Sequence, residues 1–353
     1  MVKTKFLYTI NKTELEEATE IISLERINII KFWQIIDDQL KPPQSLLYFK
    51  QPKLEAYPLV LNVKVYINTQ GIAQTDCMAM LEKFIIEENL YNAYKSHGNG
   101  RRIKIFTRRH VLTRILTAPF FITDLPIIVT KHKNFIFMAT FQDSGETTTN
   151  GRHHYKFAQY CETISPAAEP NINEAVHDNK RGFCVYSATY GHLDMFYTGQ
   201  AYPVASEENI ENFADLESLN KCTFVSTNIM HESKFDFWQN TVTAFQWWVK
   251  AYVCNAKQIF VGFKNTEGVV CKPGLLKDID YLETQQSSRI HVGKTFMFKF
   301  LNLIMETTKN YDCPDTIIKY HFDRAGNITY SVHNSEEFSM FSADFLDYMR
   351  SHN

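Results

Sequence analysis

From Phe235 to Tyr252 apolar residues return every three or four positions, through Trp238, Val242, Phe245 and Val249, and an apolar run, Gln258 to Lys264, follows shortly after. The first pattern predicts a long amphipathic helix and the second a buried strand. A stripe of that composition is packed core rather than a ligand platform, so helix and sheet must share one interior. The neighbouring segments carry the same alternation of types. Gly182 to Tyr190 and Leu193 to Tyr197 are β-rich runs parted by Gly191, and Cys222 to Met230 reads as another strand. Asn265-Thr266-Glu267-Gly268 is a turn into Val269 to Lys272, and Thr316 to Phe322 and Ile328 to His333 flank a hairpin turn at Asp323 to Asn327. Helices are expected over Arg109 to Thr117, His154 to Thr163, Val292 to Thr307 and Phe341 to Met349, and a strand over Asn134 to Phe141. Strands interleaved with helices, some of them hairpin-linked, predict a mixed α+β fold rather than a doubly wound parallel one.

The first hundred residues are less sharply patterned. Helical signals run from Glu14 to Leu40, with Thr13 as cap and Pro42-Pro43 beyond the end. Leu59 to Tyr66 alternates as a strand does. Asp76 to Tyr94 predicts a helix with Met80, Leu81, Phe84, Ile85 and Leu90 on one broad face.

Of 353 residues 44% are hydrophobic, enough for one large core, and the chain is read as a single domain over residues 1–353. With only 13 Gly and 11 Pro, and no repeat or low-complexity tract, it is a compact body rather than beads on a linker. No apolar run is long enough to span a bilayer, and Met1 to Ile10 is too short for a secretory signal. The 7 cysteines lack CxxC spacing, which points to free thiols in a reducing compartment and away from structural zinc. A net charge of −2 does not advertise a polyanion binder. The distribution is more informative: Arg101, Arg102, Lys104, Arg108, Arg109, Arg114 and Lys131 fall between Lys95 and Lys133 with almost no acids. Such a cluster is either a solvated face or a phosphate-contacting wall.

Several segments, in order, resemble the DXO family of RNA 5′-end decapping nucleases. Arg109-His110-Val111-Leu112-Thr113-Arg114-Ile115-Leu116-Thr117-Ala118-Pro119 is similar to its first motif. His154-Tyr155-Lys156-Phe157-Ala158-Gln159-Tyr160 is similar to GYKFEQY, Tyr190-Gly191-His192-Leu193-Asp194 to SGEVD, and Phe224-Val225-Ser226-Thr227-Asn228 to YVELK. Trp247-Trp248-Val249-Lys250-Ala251-Tyr252, followed by Ile259 to Val270, is similar to WWAQSF…VVGFRNxxGxV. The resemblance runs from about Arg101 onward. It implies mixed and antiparallel sheets around a central pocket with flanking helices, and a metal-assisted hydrolysis at the RNA 5′ end that uses Mg²⁺ or Mn²⁺.

Phosphodiester attack of that kind needs hard cations, and these are held by clustered carboxylates. In an E-x-D run and an E-x-K run, residues two apart share a strand face and converge. Matched to this chain, the motif Glu positions are Ala158, His192 and Ser226, the Lys is Asn228, and Asp194 is the only retained ligand. The expectation is therefore a pocket without catalysis and without a bound cofactor. His192 with Asp194 is short of a metal set, Ser226 has no base or oxyanion hole placed around it, and His153-His154 has no trusted ligand spacing. The first-motif Arg, which faces substrate in the family, is Arg109; Arg108 and Arg114 stand nearby, and the RNA-contacting Gln of WWAQSF is Lys250. Phe157 and Tyr160 are either base-stacking rings or core, with core favoured.

A degraded site on this body resembles the non-catalytic insect branch of the family. That implies a nuclear protein that binds or shields RNA 5′ ends in a complex with a chromatin-bound HP1-like protein and its linker, and supports transcription of piRNA source loci. A nuclear 5′→3′ exoribonuclease is a further implied partner, and no membrane is. Two other readings stay open: an active hydrolase using His192, Asp194 and a different metal, and a protein scaffold with no RNA affinity.

Overall fold

The computed structural model describes residues 4–36, 39–63, 65–67, 78–95, 102–121, 126–140, 149–177, 182–213, 215–334 and 340–352; Arg101, and the ends of the segments expected at Asp76 and Phe141, lie outside them. Among the described residues the main sheet has ten strands. Its members are β1 Lys5–Thr9, β2 Leu24–Ile36, β3 Gln39–Lys41, β4 Ile103–Arg108, β5 Ile127–His132, β6 Phe135–Thr140, β7 Phe183–Tyr190, β8 Leu193–Gln200, β12 Thr316–Phe322 and β13 Asn327–Asn334. They lie in the order β1-β13-β12-β5-β6-β4-β8-β7-β2-β3. A second, eight-stranded sheet is built around β9 Val204–Ala205, β10 Thr223–His231 and β11 Gln258–Lys264. This is the mixed α+β architecture that the alternating patterns predict.

Period-two alternation sorts each strand between two layers. In β4, Ile105 faces the largest core and Phe106 the opposite side; in β10, Phe224 and Met230 face that same core while Val225 turns away. The central layer between the sheets holds α4 Arg109–Thr117, α6 Val242–Val253 and α7 Ser287–Thr308. Beyond the main sheet lie α2 Ala79–Glu87 and α8 Ala343–Ser351, and beyond the second lies α5 Thr149–Tyr160. A Cβ at Gly293 of α7 would come within 2.5 Å of the Leu116 carbonyl oxygen, so glycine is what lets α7 lie directly on α4.

Where the structure departs from the sequence patterns, pairing explains it. The expected helix from Glu14 to Leu40 is mostly strand β2. Its β-branched Ile27, Ile29, Ile30, Ile35 and Ile36 suit an extended backbone, and it pairs with β7 from Trp33↔Phe183 to Leu24↔Tyr190. Among the described residues there, only α1 Lys12–Glu16 is helical, and Asn11, not Thr13, caps it by accepting from the Glu14 N–H. The Asp76–Tyr94 helix is two pieces, α2 and α3 Leu90–Lys95, separated at Asn89 with φ +50. Leu59 to Tyr66 contributes only the short strands Leu59–Val60 and Tyr66–Ile67. The stripe starting at Phe235 is likewise broken. A 3₁₀ segment, Glu232–Asn240, ends at Thr241, whose hydroxyl accepts from the Ala244 N–H at 3.1 Å and starts α6. Trp238 is buried, whereas Phe235 and Phe237 remain exposed.

The described cysteines are free thiols. No helix among the described residues is long and apolar enough to cross a membrane.

Candidate functional site

β4 runs out at Arg108, and Arg109 is the first residue of α4. The parallel register of β4 and β8 sets Arg108 beside Thr198, so Arg109 arrives over the C-terminal end of β8. Gly199 makes room for it: a Cβ there would lie 3.2 Å from the Arg109 Cβ and 3.4 Å from the Cys254 Sγ. The guanidinium then reaches the Gln200 carbonyl oxygen (3.5 Å) and the Cys254 Sγ (3.7 Å), with its Cζ 5.6 Å from the centre of the Tyr202 ring. The Tyr197 hydroxyl, donating to the Val253 carbonyl at 2.7 Å, ties β8 to the end of α6.

Lys250 lies one turn before Cys254, on the same face of α6. Its side chain reaches solvent although protein surrounds much of it. Burial, with the Arg109 charge added, pulls its ammonium down to about 8. The same positive field reaches His110, whose imidazole donates to or accepts from the Thr140 hydroxyl at 2.5 Å. Burial, reinforced by Arg108, Arg109 and Arg114, lowers it to about 3 and keeps it neutral. Among the described residues, no carboxylate forms an ion pair with Arg109 or Lys250.

Ser226 and Asn228 share one face of β10 and are both buried. Asn228 Nδ2 donates to the Ser226 hydroxyl at 3.0 Å and to its carbonyl at 3.2 Å. On the antiparallel neighbour, Val204 faces Phe224 and the Val225 N–H donates to the Pro203 carbonyl at 2.9 Å. That register brings Tyr202 opposite Ser226. Ala158 sits on α5, which packs against β10, and its methyl lines a cavity of about 250 Å³ with Leu47, Tyr155, Gln159 and Thr163; Ser226 and Asn228 do not line it. Phe157 is core, fully buried and stacked on Phe260, and Tyr160 donates to the Val60 carbonyl.

The structure corrects the matching of His192 and Asp194. His192 is exposed in the turn after Gly191, and Asp194 is bound by Arg102 Nε at 2.9 Å and Lys104 Nζ at 3.2 Å. Asp194 stands at the N-terminal end of β8, about 20 Å from Gln200 at the extended-strand rise, and His192 lies farther still. The residue that the register sets opposite Ser226 is Tyr202, the last of Thr198-Gly199-Gln200-Ala201-Tyr202. That stretch resembles SGEVD in its hydroxyl–glycine pair and carries Gln200 and Tyr202 in place of acids. The signal available in the sequence was the hydroxyl–glycine pair at Thr198-Gly199; the lone surviving acid at 194 drew the match elsewhere.

The basic cluster is likewise divided. Arg102, Lys104 and Lys131 lie at the far end of the sheet and pair with Asp194 and Asp312, while Arg108 ends β4 and Arg109 and Arg114 belong to α4.

The donor set does not fit a hard divalent cation. Ala158, Gln200, Tyr202 and Ser226 offer no carboxylate, and among the described residues no group of three or more His, Cys, Asp or Glu could hold a metal ion.

A family model for RAI1-like PD-(D/E)XK nucleases matches residues 33–346. The chain belongs to that family. Among solved structures it is similar to Candida albicans Rai1 in complex with pU5 and Mn²⁺ (TM-score 0.74, 14% identity, 100% of both chains covered). It is similar also to Scheffersomyces stipitis Rai1 in complex with (3′-NADP)⁺ and calcium (0.72, 13%, covering 99% of this chain and 98% of that one). K. lactis Dxo1 in complex with manganese is similar at 0.59 and 9%, covering 96% of this chain and 99% of that one. No curated protein matches the sequence. These likenesses place the fold in the Rai1/DXO group.

Proposed function

We propose that this chain is a non-catalytic member of the RAI1-like nuclease family that holds an RNA 5′ end without cutting it. The observation that carries the reading is the charge balance of the pocket. Two cations, Arg109 and Lys250, stand close enough for one charge to act on the other, beside Gln200, Tyr202 and Ser226, none of which brings a carboxylate. A guanidinium is suited to phosphate oxygens, and removal of acids lowers the repulsion of a polyanion. That the C. albicans relative was solved with pU5 and Mn²⁺ supports a nucleotide at this place.

In cells the reading corresponds to a nuclear, Cutoff-like role. There the protein acts in a Rhino–Deadlock–Cutoff-type complex, shields nascent transcripts of piRNA source loci from 5′-end processing, and suppresses splicing and termination. The combination of a family body with a neutralised site is what supports that branch.

The test is an end-point assay of capped, 5′-triphosphate and 5′-monophosphate RNA with Mg²⁺ or Mn²⁺, beside binding of 5′-phosphorylated and 5′-hydroxyl RNA. No turnover and a preference for the 5′ phosphate are expected. Turnover at a nuclease's rate overturns the non-catalytic reading, and equal, salt-insensitive binding of both RNAs leaves a scaffold.

A further inference from the structure

We propose that Tyr202 makes this pocket unfit for a divalent cation, because its ring stands opposite Ser226 and holds the Arg109 guanidinium at its face. The proposal rests on the reading of the pocket as metal-free and adds the residue that enforces it. Loss of carboxylates alone removes ligands. Tyr202 does something more, because its ring takes the space opposite Ser226 and fixes where the Arg109 charge sits.

Three observations meet at this residue. The backbone register sets Tyr202 opposite Ser226, through Val204↔Phe224 and the Val225–Pro203 hydrogen bond of 2.9 Å. Its side chain is packed in, at 7% exposure, and belongs to the main core. Its ring centre lies 5.6 Å from the Arg109 Cζ, within the range in which the π face attracts a guanidinium. The ring is bulkier than a carboxylate and offers no anionic oxygen, and the guanidinium it holds repels a divalent ion. Ser226 and Asn228 are occupied with each other across the same patch. Tyr202 acts on the ligand through Arg109 and is therefore a positioning residue.

The consequence is specific: restoring the lost Glu residues does not restore a metal site while Tyr202 remains. The full chain carrying Ala158→Glu, Gln200→Glu and Ser226→Glu is titrated with Mn²⁺ by calorimetry, with no RNA present, beside the same chain carrying Tyr202→Asp in addition. At least a tenfold gain in Mn²⁺ affinity from Tyr202→Asp is expected. Equal affinities, including no binding by either, overturn the proposal. A second measurement avoids dependence on the multiple variant. In the otherwise unchanged protein, Tyr202→Phe keeps the ring and retains 5′-phosphate RNA affinity, whereas Tyr202→Leu loses fivefold or more. A Tyr202→Leu protein with an unaltered melting curve and unaltered affinity also overturns it. Neither outcome depends on whether the unmodified protein cuts RNA, so failure here is separable from failure of the non-catalytic reading.

Discussion

The two ends of β8 carry similar charges with opposite consequences. At the N-terminal end, Arg102 and Lys104 close on Asp194, and Arg102 also donates to the Gly191 and Leu193 carbonyls. One carboxylate there answers both cations, and the contacts fasten the β7–β8 turn to β4. At the C-terminal end, Arg109 meets a carbonyl, a thiol and an aromatic face, and its charge acts on Lys250. Among the described residues no acid answers either cation. A satisfied cluster is structure, and an unsatisfied one is a site in want of an anion. The acid that survived from an apparent motif turns out to sit on the satisfied side. Retention of a carboxylate is thus no guide to function until its partners are known.

The largest effect that separates the two ends is expected from Arg109→Ala. A charge-assisted hydrogen bond to phosphate contributes about 1.5–3 kcal/mol, so binding of 5′-phosphorylated RNA should weaken by roughly 10- to 100-fold. The plot of log affinity against log salt should flatten by about 0.7 for each single-strand phosphate that is no longer neutralised. Fluorescence anisotropy over a salt series reads both. Unchanged affinity and slope would mean that the pocket cations do not meet RNA.

Lys250 supplies the next effect, through pH. Its ammonium titrates near 8 in the folded chain, below its ordinary 10.5, because burial and Arg109 disfavour the charged form. It is therefore protonated below about pH 8, and affinity for a phosphorylated end should fall as pH rises through that value. Stability of the free protein should move the other way. Between about 8 and 10.5 the unfolded chain binds the additional proton, so the folded state gains as pH rises across that window. Lys250→Gln should remove both trends. Parallel titrations of binding and of urea midpoint from pH 7 to 10 check the opposed signs, and trends that survive the substitution assign them to another group.

Much of the architecture was legible in the sequence where local pattern and tertiary role agree. The range predicted for α4, Arg109–Thr117, and that for β11, Gln258–Lys264, are those observed, because each is a short element with its apolar residues facing a core on its own period. β2 was not legible: Glu, Lys and Arg scattered among its isoleucines mimic a helical face, and only the long pairing with β7 decides for strand. The site divides in the same way. Arg109, Ser226, Asn228 and Lys250 lie in motifs with several matching neighbours. Gln200 and Tyr202 are not acids, so only Thr198-Gly199 marks that stretch as similar to the motif. A strand's register is a property of its partner, and the pairing across Pro203 and Val225 is not written in either segment alone.

The smallest effect is the one that tests the structural end of the comparison. Asp194→Ala leaves Arg102 and Lys104 as facing cations on paired backbone, Lys104 standing directly beside position 194. All three side chains are partly solvated, so the loss should be modest, about 1 kcal/mol in the urea unfolding free energy. Raised salt should recover part of it, since screening weakens the repulsion that remains. RNA affinity should stay within twofold of the parent, because position 194 is about 20 Å from the pocket along β8. A folded Asp194→Ala protein with tenfold weaker RNA binding would erase the distinction between the two ends and return Asp194 to the functional site.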